Sequence, residues 1–305
     1  MAAHHHRGID HRHRLLRPTP PQATLRPPLK LDAHQHFWDY AAHAGDYGWM
    51  GAAEAPLRRD YLPGELAPLM DEAGYDGCVV VQAREVEAET DWLLALARRH
   101  TFVRAVVGWV DLCAPDVEAR LDRHADEPSL RGLRMAVHDR ANTSFAASAA
   151  HVRGVSHLAS RDLAYDLLIR TEHIPAALAL VDACPGVRFV VDHIAKPHRD
   201  GVNLPAWQAG IAALGRRPNV WCKLSGLGTL PGTGAITPFL DTALAAFGPA
   251  RCMIGSDWPV STLAAPYRDT MATVETWCGR LSSDERECLL GRTCASFYRI
   301  EEARL

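Results

Sequence analysis

The sequence predicts a single (β/α)8 barrel of the α/β class. Three observations carry that prediction. Eight short apolar runs rich in Val and Ile alternate with longer amphipathic segments from Leu31 onward. At 305 residues and 48% hydrophobic composition the chain is long enough to wrap one such barrel around one core. The stretch after the first run, HFWDYAAHAGDYGWM, lacks the GxGxxG and GxxxxGK[ST] patterns that open doubly wound nucleotide-binding sheets.

In order, the predicted strands are LDAHQHF (31–37), GCVVVQA (77–83), VRAVVGWVDL (103–112), LRGLRMAVH (130–138), AYDLLIR (164–170), RFVVDHI (188–194), NVWCKLSGL (219–227) and CMIGSDWPV (252–260). Helical patterns fill the intervals at 63–75, 87–100, 116–126, 144–161, 174–183, 205–217 and 237–247, and one long run covers 267–298. Pro63, Pro175, Pro205 and Pro238 sit near predicted first turns, where a missing N–H costs little. The aromatic loop from Trp38 to Asp60 leaves the face where barrel active sites form, and is expected to lie over or beside the pocket.

Residues 1–30 differ from the barrel at 31–305. They hold five histidines, five prolines, six Lys or Arg and the single acid Asp10, and read as a disordered basic extension or a misassigned start. His4, His5 and His6 are left out of the site for that reason. The net charge of -3, without long one-sign runs in the barrel, excludes nucleic acid and acidic membrane as expected partners. No apolar run reaches the ~18 residues of a membrane span. The eight scattered cysteines form no CxxC pair and read as thiols of a reducing, cytoplasmic compartment. A small molecule is the expected partner, and self-association into a homo-oligomer stays open.

Strict alternation puts Asp32, His34 and His36 on one face of the first strand, with the two histidines about 7 Å apart along it. That face is assigned to the barrel interior, with Asp32 able to orient an imidazole. Isolated histidines are mostly not ligands, so HxH alone decides little. His193 at the end of VVDHIAKP and Asp257 in IGSDWP supply the rest: four polar, metal-competent residues at the rims of buried strands are costly unless they share a site. Three imidazoles and a carboxylate make an N/O set for one Zn²⁺ or a similar divalent ion, and Asp257 is also placed to take a proton from water. Arg134, Lys196, Gln82 and Trp38 are assigned to substrate. Lys223, Tyr165 and Trp258 are weaker candidates, with buried ion pairs or packing as the competing roles, and His138 and Asp166 stay undecided.

DAHQHFWD, VVDHIAKP and GSDWPV, with KLSGL between the last two, resemble the amidohydrolase superfamily, and within it the lactonase-like branch of L-fuconolactone and L-rhamnonolactone hydrolases. The resemblance runs from about Leu31 to Ile300. It implies hydrolysis of a sugar-acid lactone by an activated water, with His34, His36, His193 and Asp257 as catalytic and metal-binding positions. Many superfamily members carry a bridging lysine on strand four and a histidine on strand five. LRGLRMAVH and AYDLLIR have neither, so one divalent ion, zinc by preference, or none is implied rather than two. Without an ion, His34, His36 and Arg134 would polarise the carbonyl. Hydrolysis of a muconolactone or pyrone-type lactone, and metal-dependent decarboxylation of an aromatic acid, are the alternatives on the same barrel.

Overall fold

The structure, a computed structural model, describes Met1, residues 28–230 and residues 234–301. Most of the predicted N-terminal extension therefore lies outside the described residues. Eight strands follow one another around the sheet in sequence order: β1 (Leu31–Gln35), β2 (Gly77–Val81), β3 (Val103–Gly108), β4 (Leu130–Met135), β5 (Ala164–Leu167), β6 (Arg188–Val191), β7 (Val220–Leu224) and β8 (Cys252–Ile254). Each pairs in parallel with the next. Just beyond the strand ends the β1–β8 seam closes through two backbone bonds, His36 N–H to Trp258 O at 2.7 Å and Asp257 N–H to His34 O at 2.8 Å. The fold is thus a (β/α)8 barrel.

The helices are α1 (Tyr40–His43), α2 (Pro63–Ala73), α3 (Glu87–Arg99), α4 (Val117–Asp122), α5 (Ala149–Ser156), α6 (Ile174–Ala183), α7 (Leu204–Gly215), α8 (Thr237–Phe247), α9 (Tyr267–Cys278), α10 (Ser283–Glu287) and α11 (Thr293–Phe297). Their limits follow local chemistry. Pro63 opens α2 and Gly74, at φ 73°, closes it by donating its N–H to Asp71 O. Helix α3 has acids in its first turn and Arg98 and Arg99 in its last, matching the helix dipole. The run expected as one helix over 267–298 is instead broken after Cys278. Ser282 and Glu285 form a reciprocal capping box that starts α10, and a π-helical turn, Cys288–Arg292, joins α10 to α11.

Alternation fails on β1, and this corrects the sequence reading. The β1–β2 register slips between Asp32 and Gln35, so three steps on β1 match two on β2. Leu31 and Ala33 pack with Val79, Val81, Ala105, Val107, Ala164, Val190 and Met253 in the barrel interior, which Phe297 and Tyr298 close from below. Past the bulge His34 turns inward, whereas Asp32 stays at the seam. Its Oδ1 accepts from the backbone N–H groups of His34 (3.1 Å) and Ser256 (2.9 Å), and its Oδ2 accepts from the Ser256 hydroxyl at 2.6 Å. Asp32 therefore ties β1 to the segment after β8 and orients no imidazole. The larger apolar cluster, from Cys78, Val80 and Val106 to Leu240 and Val274, fills the space between strands and helices.

Candidate active site

Every strand stops before the apolar run that predicted it ends, and the residues beyond the stops build the site. After β6 the chain turns the wrong way for L-residues: His193, Ile194, Ala195 and Lys196 have φ of 53°, 48°, 58° and 48°. Each such residue costs about 1–2 kcal/mol, so the turn persists only because its surroundings hold it. Trp207 Nε1 donates to Ile194 O at 2.7 Å, and Lys196 N–H donates to His193 O at 2.8 Å. The left-handed turn brings both His193 and Lys196 to the wall of one cavity. After β8, Asp257 is left-handed as well, at φ 59°, and the residue is 4% exposed.

Three imidazoles surround the Asp257 carboxylate. Its Oδ1 lies 3.5 Å from His36 Nε2, 3.8 Å from His34 Nε2 and 3.8 Å from His193 Nε2, and the Nε2 atoms of His34 and His36 are 3.2 Å apart. Donors about 2.0–2.1 Å from a tetrahedral ion lie roughly 3.3 Å from one another. His34, His36 and Asp257 meet that spacing closely and form a group able to hold an ion, which His193 adjoins through Asp257. The outer nitrogens are positioned too. His36 Nδ1 donates to Val81 O at 2.7 Å, and His193 Nδ1 is 2.9 Å from Ser225 Oγ. The carbonyl contact leaves the His36 Nε2 lone pair facing the cluster. His34 Nδ1 stands between Asp192 Oδ1 at 3.3 Å and Lys223 Nζ at 3.1 Å.

Burial keeps the imidazoles neutral. It lowers His34 well below and His36 below their ordinary value, and brings His193 to about 4. For Asp257 burial works against ionisation, but the surrounding rings, His193 first, more than offset it and hold the carboxyl below the usual range. The cluster therefore pairs a carboxylate ready to accept a proton with neutral nitrogens able to meet an electrophile.

Beneath it lies a buried ion lattice, the competing role the sequence left open for Lys223, in which sequence reasoning missed Asp192. Lys223 Nζ contacts Asp166 Oδ2 at 2.5 Å and Asp192 Oδ1 at 3.2 Å, Arg134 Nη1 contacts Asp192 Oδ2 at 3.1 Å, and Tyr298 donates its hydroxyl to Asp166. Burial raises Asp166 to about 6, while for Asp192 the neighbouring Lys223 and His34 outweigh burial and pull it well down. Lys223, considered above as a substrate contact, is fully buried and belongs to this lattice. Asp192 left one trace in the sequence: two consecutive polar residues, Asp192 and His193, end an otherwise apolar strand.

The cavity measures about 380 Å³ and is lined by His36, Trp38, Gln82, Arg134, His193, Lys196 and Asp257, all singled out from the sequence. His34 lies one layer below. Arg134 is wired to Gln82, donating from Nη2 to Gln82 O at 2.5 Å. Trp38 stacks on His36 with ring centroids 6.5 Å apart, and its indole N–H donates to Arg59 O at 2.9 Å. The loop after β1 also supplies Trp49 and Glu54, and the segments after β4 and β5 supply His138 and Arg170. Tyr165 does not reach the cavity; its hydroxyl meets His151 Nε2 at 2.9 Å in the helix layer. Trp258 packs edge-on against Phe37 and Tyr61 and is 2% exposed.

The profile of the amidohydrolase family matches residues 31–300 of this chain. The chain belongs to that family. It is 41% identical over 290 residues to the L-fucono-1,5-lactonase of Burkholderia multivorans, covering 90% of this chain and 97% of that protein. It is 37% identical over 281 residues to the L-fucono-1,5-lactonase of Burkholderia ambifaria, covering 90% and 96%. A crystal structure of a Burkholderia multivorans amidohydrolase with bound zinc superposes with a TM-score of 0.85 at 40% identity, covering 90% of this chain and 100% of that one. Among the described residues of the present chain no helix is long and apolar enough to cross a membrane.

Proposed function

We propose that this amidohydrolase opens the lactone ring of a sugar acid, with L-fucono-1,5-lactone, the substrate named for both curated relatives, as the first candidate. The observation that carries the reading is one carboxylate, Asp257, within 3.5–3.8 Å of three imidazole nitrogens beneath a cavity of about 380 Å³. The ester carbonyl sits against Arg134, whose guanidinium N–H groups line the cavity and polarise it. Asp257 takes a proton from water as the oxygen attacks the carbonyl carbon, and hands it to the ring oxygen as the C–O bond breaks. Trp38, Gln82 and Lys196 line the space left for the hydroxylated ring. An alkoxide leaves more readily than an amine, so this modest apparatus suits an ester.

His34, His36, Asp257 and His193 are the residues that would hold a divalent ion, which we assign as zinc by analogy with the zinc-bound relative. When bound, it supplies Lewis-acid polarisation of the carbonyl. All eight cysteines are free thiols, seven of them buried, which supports a cytoplasmic setting. The test is a pH-indicator screen of aldonolactones beside metal analysis of the purified protein. Acid release from L-fucono-1,5-lactone that disappears in Asp257→Asn is the expected result. Absence of acid release from every lactone would overturn the reading.

A further inference from the structure

Part of the cavity wall carries two cations that, among the described residues, have no carboxylate in ion-pair contact. Arg170, beyond the end of β5, and Lys196, at the end of the left-handed turn, both line the cavity and are half-buried. Among the described residues neither is ion-paired, and Lys196 Nζ has only His138 Nε2 beside it, at 3.4 Å. The neighbouring cations are matched: Arg134 with Asp192, Lys223 with Asp166, and Arg140 with Glu85 at 2.6 Å. Asp257 is the carboxylate whose charge Lys196 feels most, without touching it, and the other nearby acids have contacts of their own. Glu85 further accepts the Ala136 N–H at 2.7 Å, and Asp139 Oδ1 lies 3.1 Å from His138 Nε2. His138 registers the local field, since burial and then Lys196, Arg170 and Arg134 push its pKa down to about 2. Half-buried cations facing a cavity without a salt-bridge partner form a place where an anion gains both attraction and hydrogen bonds.

Resting on the lactonase reading, we propose that Arg170 and Lys196 form an anion subsite that receives the carboxylate of the ring-opened hydroxy acid, so that the product competes with the lactone. Hydrolysis adds one water to a neutral ester and releases one proton, leaving a new carboxylate in a cavity that already holds ionised Asp257. Repulsion drives the two apart, and the Arg170 and Lys196 pair, free of salt-bridge contact among the described residues, is where the new charge is accepted.

The experiment compares L-fuconate with L-fucitol, which has the same carbon skeleton without the carboxylate. Binding of each to the wild-type protein is measured by calorimetry, and inhibition by L-fuconate is measured against lactone turnover in wild type, Arg170→Met and Arg170→Lys. The expected result is L-fuconate binding at least about tenfold tighter than L-fucitol, with competitive inhibition. The ratio of Ki for the acid to KM for the lactone should rise about tenfold in Arg170→Met and less in Arg170→Lys. Equal binding of the two ligands, or an unchanged ratio in Arg170→Met, overturns the subsite. A lactone bearing its own carboxylate, preferred about tenfold in kcat/KM over the neutral one through Arg170, would assign the wall to the substrate's anion and overturn the product assignment. Should Arg170→Met fail to fold, the wild-type binding comparison decides. If no lactone is turned over, the lactonase reading falls, while the same binding comparison still decides the subsite.

Discussion

Gly226 follows β7 with φ 63°, and a Cβ built there would lie 2.6 Å from His193 Nδ1 and 2.8 Å from its Cγ. Gly226→Ala thus perturbs the site through one methyl group. Against ordinary van der Waals contact the methyl is about 0.8 Å too close to the ring. The ring is also held by Ser225 on the same segment, so His193 and the 225–226 backbone must move together. Left-handed alanine costs about 1–2 kcal/mol, and a misplacement near 1 Å at a reacting group costs on the order of 100-fold in rate. Gly74 is the matched control: its φ is 73°, it caps α2, and nothing lies within 4 Å of a Cβ there. Urea denaturation and steady-state lactone hydrolysis, run on both variants, separate the two effects. Both should lose a similar ~1–2 kcal/mol, and only Gly226→Ala should lose about 100-fold in kcat/KM. Wild-type kcat/KM in Gly226→Ala, or an equal loss in Gly74→Ala, would refute the placement of His193 in the reacting cluster.

Asp257→Asn should keep the fold by circular dichroism and lower kcat by roughly 100-fold or more, the range expected when a positioned proton acceptor is lost; unchanged turnover would remove Asp257 from the mechanism. Lys223→Met strands Asp166 in the interior, leaving Asp192 only Arg134 and His34, and should cost about 3–5 kcal/mol in urea denaturation. Adding Asp166→Asn should restore part of that loss, and a double variant no more stable than the single one would count against the lattice. Chelation should lower the melting temperature, and zinc should restore it in proportion to concentration, if His34, His36 and Asp257 hold an ion. In chelator-treated protein, His34, His36, His138, His151 and His193 are all held below the ordinary histidine value, so unfolding takes up their protons as pH falls through 6.5. Asp32, Glu89 and Asp166, raised to about 6, 7 and 6, act in the opposite sense, favouring the fold near pH 5 and losing that contribution as pH rises through those values. The five histidines outnumber the three acids, so stability should fall on acidification near pH 5. Greater stability at pH 5 than at pH 6.5 would contradict the assignment.

The barrel was legible because buried parallel strands write themselves as apolar runs, and the eight runs each became a strand. Their C-terminal limits were not legible. WVDL after Gly108 and AVH after Met135 continue the apolar run of the strands they follow, since rim segments pack under the loop layer and hydrophobicity alone does not mark where sheet pairing stops. Helices bounded by Pro and Gly, such as 174–183 and 237–247, were read to the residue, whereas the break after Cys278 has no proline and only Gly279 to announce it. At the site, His34, His36, His193 and Asp257 stood out as polar residues at buried strand ends. Asp32 was misplaced because a bulge shifts facing by one residue and leaves no composition signal. Arg170 and Asp192 escaped, and Asp166 stayed undecided, because their roles depend on partners from distant strands: Lys223 meets Asp166 across 57 positions of chain.

The bulge connects these points. Had β1 kept strict alternation, Leu31, Ala33 and Gln35 would face one side together, and an inward Leu31 would turn His34 and His36 toward the helices. The slip between Asp32 and Gln35 lets β1 present Leu31 and Ala33 to the interior and then present His34 inward as well. Asp32 sits at the step and grips the His34 N–H and both polar groups of Ser256, the residue before Asp257. The two backbone bonds that close the barrel use His34, His36 and Asp257 themselves. Closing the sheet and assembling the reacting cluster are therefore one event: the carboxylate and two of its imidazoles cannot separate without opening the seam. A metal ion at this point would be held by groups that the fold has already brought together, and a site without one would keep the same geometry for the same reason.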